Sequence, residues 1–480
     1  MTDDARATVL ITVDSLRADA LDLDSEDTHT PTLRSLADDA TVFENAFAQG
    51  NWTPFSFPSI LGGTPVFADG PRIGVGPGAT LAETLQRAGV TTGGFNASNG
   101  FLTAYWGYDR GFEEFDAFHA EATNPVSKLF SAHPTWQAWA QFATQPMRAA
   151  VRRLKGEESY PAENTSRMRD VENAAISFIE NAEGEFFCWI HYMDTHTPYV
   201  PAPVHVREVA DEPFSTLRML SPHFRTGLGR GIEEGSKTLA DLQTLYKAAA
   251  LQVDQSIGRV LSALEDAGIR DETCVVVAGD HGEEFLEHGH LAHYPKLYRE
   301  LVEVPFIVDA PESDGQRVSD PVALDAIPPT VCDAMGVRAP DHYTGESVMP
   351  TVHDGVAPEQ EPVVSVTVRG DSVTQQPIPR RLGDGDVLVS ARSEEWTYIE
   401  HPEAGERELY DRQADPEEQD DQWDGEPPNE VVARLQSAAE QRVMALDSVA
   451  DASRSDTDRG EDEEVVPEEI EDRLSALGYK

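Results

Sequence analysis

Short apolar runs alternate with amphipathic segments through most of the chain. Apolar runs, some of them rich in β-branched side chains, predict buried strands at residues 8–13, 90–95, 186–192 and 273–278. Apolar residues at helical spacing predict helices that begin at Pro31 and that cover residues 164–182 and 239–267. Because strands alternate with helices, we expect a largely parallel sheet with helices on both faces.

The pattern changes beyond residue 375. Alternating polar and apolar positions predict antiparallel strands at 387–391 and 396–400, and helical spacing predicts helices at 430–446 and 467–477. The acidic stretch 447–464 is predicted to be disordered. We therefore divide the chain into a large α/β core at 1–375, a small antiparallel subdomain with a helix at 376–446, and an acidic tail with a short terminal helix at 447–480.

An insertion at 125–163 combines aromatic and basic side chains. They are Trp136, Trp139, Phe142, Arg148, Arg152, Arg153 and Lys155. We interpret the segment as a helical lid that packs on the core, with its aromatic residues at the mouth of the active site. The alternative is that the basic cluster draws anionic substrates or touches a membrane surface.

Acidic residues outnumber basic ones in every part of the chain. The 480 residues include 86 Asp and Glu against 37 Lys and Arg, a formal net charge of −49. Nucleic acids and anionic membranes attract basic surfaces, so this balance argues against either as the main partner. A chain this acidic repels itself in dilute salt. It therefore predicts a halophilic source whose salt-rich cytoplasm reduces the screening length to roughly 3 Å near 1 M.

The cysteines and the apolar runs suggest the compartment. Cys188, Cys274 and Cys332 are too few, and odd in number, for a disulfide framework. The first residues do not resemble a secretory signal, and no run approaches the roughly 20 apolar residues of a membrane span. We expect a soluble, cytoplasmic protein.

Candidate chemistry lies where predicted strands end. Asp14 follows the first strand, His191 closes the third, and Asp280 follows the fourth. Ligands bind beyond the carboxyl ends of parallel strands, so these side chains are expected to converge. Asp280 and His281 together offer oxygen and imidazole ligands, which suit Mn²⁺, Mg²⁺, Ca²⁺ or Zn²⁺. Taken singly, each strand-end acid would be an ordinary helix cap or turn former.

The segment 51–63, NWTPFSFPSILGG, places a hydroxyl at a predicted helix start. Thr53 there would face free backbone N–H groups and the positive end of the helix dipole, which suit a tetrahedral oxyanion. A metal bound to that hydroxyl would lower its pKa and make it a nucleophile. The alternative is a plain threonine N-cap.

Four segments together resemble the sulfatase family, in the family's order and over nearly the whole chain. They are VLITVDSLRADAL, NWTPFSFPSILGG, CWIHYMDTHTPYVP and VVVAGDHGEEFLEHGHLAHYPKLYRELVEVPFIV. The resemblance implies an α/β fold, the alkaline-phosphatase-like three-layer αβα sandwich, with a small C-terminal α+β subdomain. It also implies the hydrolysis of an ester.

The resemblance further implies which residues act. The residues on its metal positions, for one divalent ion (Mn, Ca, Mg or Zn), are Asp14, Thr53, Asp280 and His281. His196 matches a histidine that acts on the substrate or its leaving group. His293 falls near a catalytic lysine position, from which it would contact the ester oxyanion.

The substrate-binding candidates are Asn99, His191 and Asp194. Asn99 falls near a second lysine position of the family. An alternative use of Asp194, together with His196 and His293, is to hold a second Zn²⁺, as in two-metal relatives.

The chain also departs from the family's pattern. Formylglycine-dependent members carry Cys or Ser in a Cys/Ser-X-Pro-X-Arg motif, where this chain has Thr53, Phe55 and Phe57. Threonine is not converted to formylglycine by the usual route, so none is expected. Ser15 replaces the second acid of the family's Asp-Asp pair. These features resemble the relatives with a threonine nucleophile, including phosphodiesterases and phosphoglycerol transferases that use one Mn²⁺.

Three functions follow as hypotheses. The first is a metal-dependent hydrolase that cleaves a small anionic sulfate ester through Thr53, and it is the one we adopt. The second is a phosphodiesterase, a phosphonate ester hydrolase or a phosphoglycerol-type transferase. The third is a non-catalytic binding protein on the same fold.

Overall fold

The computed structural model describes most of the chain. The described residues are 5–25, 28–118, 167–227, 233–358, 361–369, 379–425, 429–457, 466–467, 470–471 and 474. The insertion predicted at 125–163 lies outside them, as does most of the predicted terminal helix at 467–477.

Strands and α-helices follow one another along the described residues. The strands are β1 (Ala7–Val13), β2 (Thr41–Phe43), β3 (Ala46–Phe47), β4 (Thr91–Asn96), β5 (Glu114–Asp116), β6 (Phe186–Tyr192), β7 (Thr273–Gly279), β8 (Glu284–Phe285), β9 (Leu291–Ala292), β10 (Phe306–Asp309), β11 (Gln316–Val318), β12 (Val322–Ala323), β13 (Val363–Arg369), β14 (Asp386–Arg392), β15 (Trp396–His401) and β16 (Glu406–Asp411). The helices are α1 (Pro31–Asp39), α2 (Thr53–Gly62), α3 (Leu81–Ala88), α4 (Met168–Asn181), α5 (Pro203–Val209), α6 (Thr216–Gly227), α7 (Lys237–Asp266), α8 (Arg299–Val302), α9 (Ile327–Ala334), α10 (Met349–Asp354) and α11 (Asn429–Thr457).

A mixed sheet of eight strands forms the centre of the fold. Its order is β11-β2-β10-β7-β1-β6-β4-β5, and β10 alone runs antiparallel to its neighbours among these strands. Alternate residues of β1 enter different cores: Leu10 packs on one face, and Val9 and Ile11 on the other. Helices α2, α3 and α9 cover the first face, and α1, α4 and α7 cover the second. The predicted three-layer α/β fold with a largely parallel sheet is confirmed.

The register of the central strands places the candidate chemistry at one edge. Strand β1 lies between β6 and β7 and is parallel to both, with Val13 opposite Tyr192 and Gly279. The residues that follow these three strands therefore emerge side by side. On the far side of β6, Asn96 of β4 lies opposite His191.

A buried carboxylate connects helix α7 to α1 on the same face of the sheet. Asp254 accepts hydrogen bonds from the backbone N–H groups of Thr32 (3.0 Å) and Leu33 (2.8 Å) at the start of α1. The N-cap residue of α1, Thr30, makes no side-chain capping bond of its own. Asp254 thus caps α1 from a neighbouring helix.

Replacing Asp254 with alanine is expected to lower the free energy of unfolding by about 1–2 kcal/mol, because two buried N–H groups lose their acceptor. Asp254→Asn retains one acceptor oxygen and should lose less. Urea unfolding at one fixed KCl concentration measures both variants. Equal losses in the two variants would contradict the capping role.

The C-terminal subdomain is an antiparallel sheet of β13 to β16 packed on α11. Its first strand precedes the predicted boundary at 375, and α11 continues to Thr457. The prediction of disorder from 447 onward is therefore wrong as far as Thr457. Leu446 is buried and Val449 packs against the same apolar cluster, so the apolar face of the helix extends into the acidic stretch. No helix among the described residues is long and apolar enough to cross a lipid bilayer.

A buried histidine joins the core to the C-terminal region. The Nδ1 atom of His288 lies 2.7 Å from the carboxylate of Glu300, and its Nε2 atom lies 2.8 Å from the carbonyl of Glu418. Its ring stacks on Tyr298 at 3.5 Å. Only 10% of its side chain is exposed. Both of these partners accept hydrogen bonds, so the geometry fits the imidazolium form.

Stability is expected to fall as the pH rises through the titration of His288. Burial by itself would lower its pKa, but Glu300 and Glu418 raise the pKa above its ordinary value. The contribution of His288 is therefore complete below about pH 6.5 and is lost as the pH passes the raised folded-state value. The difference in unfolding free energy between wild type and His288→Gln should be larger at pH 6 than at pH 9. A difference that does not change with pH would contradict a charged histidine.

Candidate active site

Thr53 begins α2, a helix buried over its whole length. The helix needs no polar face because it runs between the sheet and the C-terminal cluster. Its first turn is closed by the carbonyl of Trp52, which accepts from the N–H groups of Phe55 (2.8 Å) and Ser56 (3.0 Å). Thr53 is therefore held rigidly at the helix start, and only 3% of it is exposed.

The Thr53 hydroxyl meets Asp14 and Asn99. Its Oγ1 lies 3.1 Å from Oδ2 of Asp14, and Nδ2 of Asn99 donates to that same carboxylate oxygen at 2.9 Å. The amide of Asn99 also reaches Oγ1 of Thr53 at 3.3 Å. The orientation of the Asn99 amide is fixed because Oδ1 of Asn99 accepts a hydrogen bond from the N–H of Phe101 at 2.9 Å. The structure thus brings the strand-end acid, the candidate nucleophile and the amide together.

Asp14, Asp280 and His281 form the one group of three metal-binding side chains found among the described residues, with ligand atoms within 4.8 Å of one another. Asp280 accepts from the backbone N–H groups of Ser15 and His281 through Oδ1, while its buried Oδ2 has no hydrogen-bond partner. His281 Nδ1 lies 2.9 Å from the carbonyl of Gly282, so Nδ1 carries the proton. Its Nε2 lone pair then faces Thr53. An orphaned carboxylate oxygen beside an imidazole lone pair fits a divalent cation.

The electrostatics of the two carboxylates favour the same conclusion. Burial and the nearby Asp14 raise the pKa of Asp280 well above its usual range. Burial would also raise the pKa of Asp14, but the histidines around it hold that pKa well below its usual range. A bound cation would remove the conflict between two adjacent buried carboxylates.

His191 lies behind Asp14. Its ring is fully buried, Nδ1 lies 2.9 Å from the hydroxyl of Thr12, and Nε2 lies 3.6 Å from Oδ2 of Asp14. Phe57 packs edge-on against the ring at 5.0 Å. The structure therefore places His191 where it supports the Asp14 carboxylate.

His281, His293 and His196 form a row of rings. The ring centroids of His281 and His293 lie 4.9 Å apart, and so do those of His293 and His196. Nδ1 of His196 lies 2.6 Å from the carbonyl of Thr197, so Nδ1 donates and Nε2 is the nitrogen that can exchange a proton. Burial lowers the pKa of His196, although the negative charge of Asp14 acts in the opposite direction. Burial also lowers the pKa of His293, to about 3.

Asp194 lies beside this row but is turned toward α7. Its Oδ1 accepts from Nε2 of Gln252 at 2.7 Å. Within the part of the chain that the structure describes, Asp194, His196 and His293 do not form a metal-binding group. The alternative of a second Zn²⁺ at these three residues is not supported.

Two further residues belong to the site: Glu283, which the sequence reasoning missed, and Ser15, which it named only as a departure from the family's pattern. Glu283 is fully buried, its Oε2 lies 3.5 Å from Nδ1 of His293, and burial raises its pKa to about 7. Ser15, at a left-handed φ of 57°, donates its hydroxyl to Asp14 at 3.0 Å. Glu283 follows the Asp280-His281 motif directly, but one more acid carries little information in so acidic a chain.

Comparisons with known proteins agree with this geometry. Arylsulfatase K of Xenopus laevis is 31% identical over 129 residues, which are 27% of this chain and 24% of that protein. The matched segment thus spans about a quarter of this relative.

Solved structures share the whole fold. A phosphonate monoester hydrolase from Silicibacter pomeroyi superposes with a TM-score of 0.66 at 22% identity, covering 92% of this chain and 94% of that one. A protein solved with its substrate D-glucosamine-2-N,6-O-disulfate gives a TM-score of 0.68 at 17% identity, covering 93% and 99%. The sulfatase family model matches residues 6–337. The chain therefore belongs to the sulfatase family.

Proposed function

We propose that this protein hydrolyses a small anionic sulfate ester with Thr53 as the nucleophile. The observation that carries the proposal is the hydroxyl of Thr53, 3.1 Å from Asp14 and facing Nε2 of His281 at 3.4 Å. It lies inside a buried cluster of metal-binding type on a sulfatase-family fold.

One divalent ion would be held by Asp14, Asp280, His281 and Thr53. Bound there, it would lower the pKa of the Thr53 hydroxyl and offset the negative charge of the ester oxygens. The oxygen and nitrogen ligands accommodate Mn²⁺, Ca²⁺, Mg²⁺ or Zn²⁺.

The residues themselves account for each bond and proton. Thr53 Oγ1, as the alkoxide that a bound ion would favour, attacks sulfur, and Asn99 donates to the attacking oxygen. As the bond to the leaving alcohol breaks, Nε2 of His196 protonates the departing oxygen. His293, between His281 and His196, lies where it would contact a non-bridging ester oxygen.

Hydrolysis of the threonine ester completes the cycle. Water gives one proton to His196 and attacks sulfur as the bond between sulfur and Oγ1 of Thr53 breaks, and the hydrogensulfate formed releases its remaining proton to solvent. Thr53 is left as the alkoxide with which it began. Each group ends in the protonation state in which it began.

Phosphoester chemistry is the second candidate. Thr53 stands where formylglycine-dependent relatives carry Cys or Ser, and a phosphonate monoester hydrolase shares the fold. The same constellation would serve a phosphodiesterase, a phosphonate ester hydrolase or a phosphoglycerol-type transferase, because phosphorus and sulfur esters share tetrahedral oxyanion geometry. A non-catalytic binding protein is disfavoured by the complete set of Asp14, Thr53, Asp280 and His281.

Chromogenic substrates distinguish these candidates. Aryl sulfate, aryl phosphate and an aryl phosphodiester are compared in molar KCl, which the charge of −49 favours, after chelation and metal addition. Sulfate turnover would support the first candidate. Phosphodiester turnover alone would support the second, and no turnover with any metal would favour a binding protein.

A further inference from the structure

We infer that Gln252 of α7 is a positioning residue that fixes the loop carrying His196. The inference rests on the proposed role of His196 as the proton donor. Gln252 does not contact the substrate position itself; it acts through the loop 193–202, which connects β6 to α5.

The side-chain amide of Gln252 bridges both ends of that loop. Its Nε2 donates to Oδ1 of Asp194 at 2.7 Å, and its Oε1 accepts from the N–H of Ala202 at 2.7 Å. The carboxylate can only accept and the peptide N–H can only donate, so the amide has a single orientation. Gln252 is 1% exposed, and water does not compete for these bonds.

Two residues of the loop cannot donate a backbone hydrogen bond. Pro198 and Pro201 carry no N–H, which removes two donors from a short segment. Thr195 ties the loop to the carbonyl of Asp14 at 2.6 Å, on the side of the metal-binding group. The two residues that Gln252 contacts, Asp194 and Ala202, flank His196 in sequence. They fix the loop on the side that faces α7.

Helix α7 also fixes the loop that follows β1. The hydroxyl of Tyr246 donates to the carbonyl of Ser15 at 2.8 Å. One helix of 30 residues therefore sets the position of Asp14's loop and of His196's loop together. A misplacement of about 1 Å in such a constellation can cost about 10²-fold in rate.

Leaving-group dependence tests the inference. An acid matters for a poor leaving group, such as an alkyl alcohol, and little for 4-nitrophenol. For Gln252→Leu we expect kcat for the alkyl ester to fall about 10²-fold, while kcat for the 4-nitrophenyl ester changes less than about threefold. An equal loss on both esters, or no loss on either, would overturn the inference.

Ser256→Ala is the matched control on the same helix. Its hydroxyl is buried and bonds to the side chains of Glu172 (2.6 Å) and Tyr192 (3.0 Å), neither of which belongs to the loop 193–202. The ratio of the two rates should not change in this variant. Gln252→Glu, of nearly equal volume, keeps the acceptor for Ala202 and loses the donor to Asp194. It replaces Gln252→Leu in the same rate comparison if the leucine variant does not fold.

Crystal structures of the variants separate this inference from the proposed function. We expect the loop 193–202 and the His196 ring to be displaced in Gln252→Leu and unmoved in Ser256→Ala. An unmoved His196 in the leucine variant overturns the positioning role, whatever the activity. A wild-type protein inactive on every ester overturns the proposed function instead.

Discussion

Replacing Thr53 with alanine is expected to lower kcat/KM for ester hydrolysis by at least about 10³-fold, about 4 kcal/mol of transition-state stabilisation. The reason is that Oγ1 is the atom that forms the covalent bond. The substitution removes one hydroxyl and one methyl group at the start of α2, where backbone bonds to Trp52 persist. Binding of a divalent ion should survive, because Asp14, Asp280 and His281 are unchanged.

Two variants make this result specific. Thr53→Ser keeps the hydroxyl and should retain activity within about tenfold of wild type. Ser56→Ala, one turn along the same helix, removes a buried hydroxyl bonded to the carbonyl of Gly50 (3.0 Å) and should leave kcat/KM nearly unchanged. Rates are measured on the best ester in molar KCl with metal in excess. Wild-type turnover by Thr53→Ala would exclude Thr53 as the nucleophile.

Four adjacent strands of the sheet, β7, β1, β6 and β4, could be predicted because burial on both faces leaves a continuous apolar signal. Strand β6 covers the predicted residues 186–192, and β7 extends the predicted 273–278 by one residue. The convergence of Asp14 and Asp280 follows from parallel strands alone. The error at α11 has a different origin: negative charge indicated disorder, while a few apolar residues such as Leu446 sufficed to hold the helix on the sheet.

Other parts of the site carried no local signal. Gln252 meets Asp194 across 58 positions of sequence, and a glutamine within a helical pattern indicates only an exposed turn. Asn99 was placed by resemblance, but its two contacts depend on a left-handed turn at Ser98 and a bond to Phe101. Such groups become visible only when the tertiary structure brings separate loops together.

Asp280→Asn is expected to abolish activity and to remove the stabilisation of the folded state by a divalent ion. The asparagine can keep one oxygen toward the N–H groups of Ser15 and His281, which turns its NH₂ group toward the position of the orphaned Oδ2. An amide nitrogen is a poor metal ligand. In wild type, a divalent ion at 100 times its Kd should stabilise the folded state by about 2.7 kcal/mol, and this increment should disappear in the variant.

The same substitution should act in the opposite direction without metal. Asp14 and Asp280 are adjacent buried carboxylates, and burial together with Asp14 raises the pKa of Asp280 well above its usual range. Removing one charge relieves that cost, so chelator-treated Asp280→Asn should be at least as stable as chelator-treated wild type near pH 7.

Denaturant unfolding with and without divalent ion measures both expected changes in stability, the lost increment with metal and the equal or higher stability without it. Asp325→Asn is the matched control, because Asp325 is a buried acid bonded to Thr344 (2.7 Å) and Gln49 (3.3 Å) outside the metal-binding group. This control should keep the full metal increment. If Asp280→Asn kept it as well, the ion would bind elsewhere, and the role assigned to the strand-end acids would be wrong. If Asp280→Asn instead lost both its activity and its stabilisation by divalent ion, Asp280 would be a ligand of the ion on which hydrolysis depends.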